Sequence, residues 1–366
     1  MRELRAIGLA LVGVLAVQAC GGGRPDKLGA AEVLRADNHP AGEPLAGIKT
    51  ELIRIDSSAV QQALTPVPAA EDPRLPEAIL SYLPGSEPTR LVVMCHGLNQ
   101  DVRRVWVQHT EAVARSDTAA LATNYRDNFR FPIAKGAHDV IAATLQVKAR
   151  FPSIETVYLM GVSMGGAVAA TAITESIALS ADGQSLFQHW IAPEPLTNLV
   201  EAWAEASVAL PAIAADIEHD AGGTPLQVPA EYVRRSGALN ADMMAAGDLK
   251  TLTMTHAVND GLVVYNQARE MATAAAAFGI PTQLWTVLRV APEQDTGSQL
   301  TAAITGFIGA PDPTQPLGLS GHGWEGDPHH PIMRIAFEQL EMLLDGSYDE
   351  SLPYAEYLVD EGEPGL

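Results

Sequence analysis

The sequence predicts an α/β protein: a mostly parallel central sheet covered by helices on both faces, with a helical cap inserted near its middle. Three observations predict this. From Thr50 onward, short apolar runs alternate with helical stretches, the rhythm of strand–helix–strand units. Some runs, Leu91-Val92-Val93-Met94-Cys95 above all, are apolar throughout, as a strand buried on both faces must be. The rhythm then breaks at an Ala-rich, acidic segment, about residues 195–250, which reads as the cap.

The elements follow in chain order. Arg2 and Arg5 precede an unbroken apolar or small-residue run from Ile7 to Val17. That run is about half the roughly 20 residues that span a bilayer, so residues 1–19 read as a signal peptide. The run ends in Val17-Gln18-Ala19-Cys20, followed by Gly21-Gly22-Gly23. This resembles the lipobox of bacterial lipoproteins, and the resemblance implies that Cys20 is diacylated and anchors the exported chain. Val17-Gln18-Ala19 also satisfies an ordinary small-x-small cleavage site, which would leave the protein secreted. Residues 20–48, rich in Gly, Pro, Ala and charge, read as a flexible tether, and residues 49–366 as the folded domain.

Within that domain, strands are expected at Leu52–Ile55, Ala78–Leu83, Leu91–Cys95, Leu121–Tyr125, Thr156–Met160, Phe187–Ala192, Leu252–Ala257 and Gln283–Leu288. Helices are expected at Asp139–Arg150, Ser163–Leu179, Gly261–Phe278 and Pro331–Leu344. In the cap, Leu196, Leu199, Val200 and Trp203 have i, i+3, i+4, i+7 spacing and form one apolar stripe. It either roofs a substrate pocket or packs on the sheet. Residues 289–318 read as a second insertion, and Asp349 to Glu363, being acidic, as a segment lying loosely on the surface.

A formal net charge of −21 repels phosphate backbones and anionic lipid, so nucleic acid is not an expected partner. Membrane contact is expected through the N-terminal lipid alone. Charge says nothing of the oligomeric state. Of two cysteines, a lipidated Cys20 leaves Cys95 alone, so no disulfide framework is expected. Cys95 ends an apolar run, where a buried structural thiol is expected before a nucleophile.

Gly161-Val162-Ser163-Met164-Gly165 fits G-x-S-x-G, the turn that lifts a serine hydroxyl out between strand and helix. A strand-like run ends directly before it, and Gly166-Ala167-Val168-Ala169-Ala170 opens a close-packing helix directly after. A Gly-rich junction without chemistry is the alternative reading.

With His96-Gly97 after the apolar strand, Asn124-Tyr125-Arg126, the helix near Asp139 and this elbow, Leu91 to Ala169 resembles the α/β-hydrolase superfamily. Tyr125 to Gly166 is particularly similar to catalytic domains of its prolyl-oligopeptidase-like branch and their esterase relatives. The resemblance implies that the backbone N–H groups of Leu98 and Met164 form the oxyanion hole, with His96 structural. It also implies an acid and a histidine after the serine, in that order. Asp260, in Asn259-Asp260-Gly261 at a strand end, resembles the acid loop, although a turn residue or helix cap would look the same. His322, between Gly321 and Gly323, matches the histidine in position and flexibility. The gap between them, 62 residues, is long for the family and requires the insertion to lie beside the site. Of the other histidines after the elbow, His256 falls inside an apolar run. His329 and His330 lie between Pro328 and Pro331, where a solvated pair is expected before a metal site.

The expected activity is hydrolysis of carboxylic esters through an acyl-enzyme on Ser163, with His322 as base near the ordinary imidazole value of about 6.5. No cofactor and no metal are called for. A peptidase or acyltransferase on the same side chains is the alternative enzyme, and a lipoprotein that binds acyl compounds without turnover the alternative class.

Overall fold

A computed structural model describes residues 38–71, 75–98, 100–128, 130–290, 321–323 and 325–360. The signal peptide, Cys20, most of the tether and all of the second insertion beyond Val290 lie outside the described residues. Nine strands form one sheet: β1 (Lys49–Arg54), β2 (Glu77–Tyr82), β3 (Arg90–Cys95), β4 (Thr118–Thr123), β5 (Thr156–Gly161), β6 (His189–Pro193), β7 (Thr251–Ala257), β8 (Thr282–Val287) and β9 (Tyr354–Val359). Their order is β1-β2-β4-β3-β5-β6-β7-β8-β9. The β1–β2 and β2–β4 pairs are antiparallel, and every other pair is parallel.

The apolar run at Leu91–Cys95 shows why the sheet is covered on both sides. Strand side chains alternate between faces. Leu91, Val93 and Cys95 join one core with residues of α4 (Ile133–Arg150), α5 (Met164–Ser176) and α10 (Asn266–Ala277). Val92 and Met94 join another with α3 (Val107–Val113) and α11 (Pro331–Asp345). Cys95 is a fully buried thiol pushed up by burial, which removes it as a nucleophile at neutral pH.

Shorter helices complete the described chain: α1 (Ser58–Ala63) and α2 (Val102–Val105) early, then α6 (Leu199–Ala209), α7 (Pro211–Ala221), α8 (Pro229–Arg234) and α9 (Ala241–Ala246) between β6 and β7. The buried face of α6 is Leu199, Ala202 and Ala206, while Val200 is exposed. Val200 thus leaves the stripe drawn from the sequence, while Leu196, Leu199 and the half-buried Trp203 pack on the main core, and Trp203 also donates its Nε1–H to Glu218 on α7 at 2.8 Å.

Two other expectations change. Tyr354–Val359, within the segment expected to lie loosely, form a strand: β9 pairs in parallel with β8, and Tyr357 stacks on Trp285 at 4.4 Å between ring centroids. Its acidic flanks hide a strand-forming run, Tyr-Ala-Glu-Tyr-Leu-Val. Helix α4 begins at Ile133, not near Asp139, because Lys135 on its inner face is buried against Asp127 at 2.5 Å. Asp139 on the same helix is likewise buried, against Arg126 at 2.8 Å. Paired charges inside break the apolar pattern on which the sequence estimate rested.

Candidate active site

Strand β5 delivers Ser163. The chain turns there with φ 54° and ψ −123°, a left-handed conformation that a side chain rarely adopts, and helix α5 starts at the next residue. Gly165 explains part of the motif. A Cβ there would collide with the carbonyl oxygens of Cys95 and His96 at the end of β3, so only glycine lets helix and strand close. The turn is also held from β6: Ser163 N–H donates to Pro193 O at 3.2 Å, and Leu196 N–H to Ser163 O at 3.0 Å.

Strand β7 delivers Asp260. Its Oδ1 accepts from the N–H groups of Leu262 (2.8 Å) and Val263 (3.0 Å), the turn role foreseen for it. Those bonds take up the residues before α10, which therefore opens at Asn266 rather than Gly261. Oδ2 faces His322 Nδ1 at 2.8 Å and His256 Nε2 at 3.1 Å. Burial would raise this carboxyl, but His322 and His256 outweigh it and hold it well below the usual carboxylate range. Asp260 is thus an ionised, fully buried carboxylate.

His322 completes the line, with Nε2 3.1 Å from Ser163 Oγ. Gly321, before it, lies so close to the backbone of Asn259 and Asp260 that a Cβ would overlap it. The chain enters the second insertion at the same place, since Val290 N–H donates to Asn259 Oδ1 at 3.0 Å. The long gap in sequence is closed by these contacts.

The loop after β3 lies beside the nucleophile. A Cβ on Gly97 would sit 3.4 Å from Ser163 Cβ, and Leu98 follows in a turn packed on the core. Met164 is the first residue of α5, where an N–H has no intrahelical acceptor. His96 stacks on Tyr125 at 4.2 Å and hydrogen-bonds Asn128 at 2.9 Å, well inside the scaffold.

Two glutamates at the site escaped the sequence reading. Glu194, directly after β6 with φ 40°, is fully buried. Its Oε2 accepts from Gly323 N–H at 2.6 Å, and its Oε1 lies 3.3 Å from His322 Nε2. Burial first, and then Asp260, raise its carboxyl well above the ordinary value against the pull of His322. Glu325, also buried, accepts from Gly97 N–H at 2.5 Å and is pushed up by burial to about 7. The one available signal was a lone acid after an apolar run, Pro193-Glu194-Pro195.

These charges move the base. Burial would lower the imidazole of His322, but Asp260 and Glu194 outweigh it and raise it to about 9, above the value of 6.5 expected from sequence. Among the described residues, one set of three groups has metal-binding spacing: Glu194, Asp260 and His322, with their ligand atoms within 4.8 Å. Both oxygens of Asp260 and both nitrogens of His322 already face protein partners. His329 and His330 take no part in that set. His330 is buried, not solvated, and its Nδ1 accepts from Ile332 N–H at the start of α11.

Sheet order, elbow and loop placement are those of the α/β-hydrolase fold. A model of the prolyl oligopeptidase family matches residues 130–291, a span that holds Ser163 and Asp260. Among solved structures, the chain is similar to carboxyl esterase 2 from the fungus Tuber melanosporum, with 12% identity, 93% of this chain and 99% of that chain covered, and a TM-score of 0.53. It is similar also to esterase B from Lactobacillus rhamnosis, with 17% identity, 83% and 86% covered, and a TM-score of 0.50. The acylaminoacyl peptidase of Pyrococcus horikoshii aligns at 13% identity over 66% of this chain and 37% of its own length, with a TM-score of 0.46. The chain thus spans well under half the length of that peptidase. At these identities the likeness is one of fold. No curated protein matches the chain in sequence.

Proposed function

We propose that this chain is a serine hydrolase that cleaves carboxylic esters through an acyl-enzyme on Ser163. The observation that carries the reading is the unbroken line from Ser163 Oγ to His322 Nε2 (3.1 Å) and from His322 Nδ1 to Asp260 (2.8 Å), with the serine on a strained strand–helix turn. His322 takes the serine proton as Oγ attacks the acyl carbon. Asp260 fixes the ring and stabilises the imidazolium that forms. Leu98 N–H and Met164 N–H receive the oxyanion, where loss of one donor typically costs about 3 kcal/mol. The imidazolium then protonates the leaving oxygen, and water, deprotonated by the same ring, releases the acid.

An ester asks least of this site, because an alkoxide needs less help from the acid form of His322 than an amine does. The peptidase reading has its own support in the prolyl oligopeptidase family match. The purified protein should bond covalently to a fluorophosphonate and hydrolyse p-nitrophenyl esters at least tenfold faster than the matching peptide anilides. Ser163→Ala should remove labelling and lower turnover by several orders of magnitude, up to about 10⁶-fold. Labelling that survives the substitution would place the nucleophile elsewhere, and faster anilide cleavage would favour the peptidase.

The same proposal places the enzyme in a bacterial cell envelope, held by lipid on Cys20. Among the described residues no helix is long and apolar enough to cross a membrane. Cys20→Ser should therefore move the exported protein from the membrane to the soluble fraction. A wild-type protein already soluble after export would replace anchoring with ordinary secretion.

A further inference from the structure

His322 Nε2 can hold one hydrogen, and two oxygens face it. Ser163 Oγ lies at 3.1 Å and Glu194 Oε1 at 3.3 Å. The other oxygen of Glu194 is spoken for, because Gly323 N–H, on the backbone of the same loop as His322, donates to Oε2 at 2.6 Å. Oε1 is buried and has no hydrogen bond of its own. A bare carboxylate oxygen in that position would be costly, since burying a charge without a partner is among the most unfavourable arrangements in a protein. A proton between Oε1 and Nε2 removes the cost, whether it is drawn on the acid or on the ring.

We infer that Glu194 and His322 share one proton in the resting site, and that Glu194 thereby decides when His322 is free to serve Ser163. The inference rests on the hydrolase reading for its consequence in catalysis, though not for the shared proton itself. Glu194 is a positioning residue: it acts on the reaction through His322.

The balance of protons is simple. While the shared proton is present, Nε2 has no free lone pair to take the hydrogen of Ser163 Oγ. Once the proton is lost to solvent, an ionised Glu194 and a neutral ring remain. Oγ then forms its bond to the acyl carbon, and its hydrogen passes to Nε2. The imidazolium so formed lies between two carboxylates, Asp260 at Nδ1 and Glu194 at Nε2. Glu194 therefore withholds the base at low pH and stabilises the charged ring during the reaction at high pH.

The groups around His322 agree with this. Asp260, backed by His256, faces it from the end of β7, Glu194 from the end of β6, and Glu325 from its own loop. His330, at the start of α11, reaches the same loop beside Gly323. Burial lowers the ring, and the three carboxyl groups more than reverse that, to about 9. The carboxyl of Glu194 is moved up by burial and by Asp260, against the pull of His322.

Glu194→Gln tests the inference. The amide keeps the size of the side chain and an oxygen for Gly323 N–H, and its NH₂ can only donate to Nε2, which favours the neutral ring. The rising limb of kcat/KM in the wild type should have its midpoint near 9 and should fall by at least about one pH unit in the variant. The ratio of variant to wild-type activity should accordingly grow about tenfold from high pH down to neutral. A residue that merely supports the loop would lower the rate equally at every pH.

The second measurement needs neither activity nor the variant. Imidazole resonances of wild-type protein, with His322 assigned by their loss in His322→Asn, should show a ring still protonated at pH 8. A wild-type midpoint below 7 overturns the inference, as does an unshifted midpoint in a folded Glu194→Gln protein. Fluorophosphonate labelling, run in parallel, reports on the hydrolase reading alone, so the two can fail separately.

Discussion

Ser163 keeps a backbone conformation that costs on the order of 1–3 kcal/mol, and it does so because residues around it leave the chain no alternative. Gly321 does the same for His322. Its missing side chain lets the loop lie against the backbone of Asn259 and Asp260, neither of which can rotate aside. Gly321→Ala should therefore push the loop off Asp260, lowering kcat about 100-fold and stability by about 1–3 kcal/mol. Gly323→Ala should do less, because the new Cβ would meet, at 3.2 Å, the far ends of the Glu194 and His330 side chains. Melting temperature and kcat measured on both variants check this, and equal effects would refute it. These glycines also explain what was legible. The flanks of Ser163, Asp260 and His322 record the tight turns they occupy, and that was enough to name three side chains which the fold brings into contact. Glu194 and Glu325 make their contacts across 129 and 228 residues of sequence, with no local turn to mark them.

Elements were legible where a single force shapes them. Strands β3, β5 and β7 are buried on both faces, so their inner residues are apolar or, in β7, threonines and a histidine alternating with apolar residues, and their ends are sharp. At the edge, β9 is shaped by two opposing demands. One side of it faces solvent and the other packs on β8, with Glu356 reaching Thr286 and Tyr265. Its charge concealed its strand character. The cap is a similar case. Its Ala-rich helices bury small side chains, Ala202 and Ala206 on α6 and Ala214 and Ala221 on α7, so the apolar stripe is weak. Of the larger residues, Val200 faces solvent, and Trp203 packs on the main core while tying α6 to α7 through Glu218.

Across the whole molecule, the buried histidines set how stability depends on pH. Ala41 N–H donates to His39 Nδ1 at 3.0 Å, so the ring hydrogen is on Nε2, which donates to His109 Nδ1 at 2.8 Å. His109 Nε2–H then donates to the backbone oxygen of Glu325, whose side chain holds the loop after β3. Every link needs a neutral ring. Burial, and the neighbouring His109 and His329, depress His39 to about 2, and burial depresses His109 to about 4. His96 and His189 are lowered by burial to about 4 as well. Between about pH 4 and 6.5 the unfolded chain binds protons at these four sites and the folded one does not, so stability falls as the pH falls through that range. Buried Glu325 acts the other way, because the folded protein keeps its proton up to about 7, above the ordinary carboxyl value of 4.5. The four histidines outnumber it, leaving a net loss of roughly 2–4 kcal/mol per pH unit below 6.5. Above neutral pH, His322 retains a proton up to about 9 that the unfolded chain releases near 6.5, which erodes stability as the pH rises. Melting temperature should therefore peak near neutral pH and drop by several degrees between about pH 6.5 and pH 5. His109→Phe should flatten the acid side of the curve, since the phenyl ring has no proton to refuse. A wild-type melting temperature constant over that range would mean that the histidine chain titrates freely, and that the N-terminal arm at His39 is not joined to the active-site loop as described.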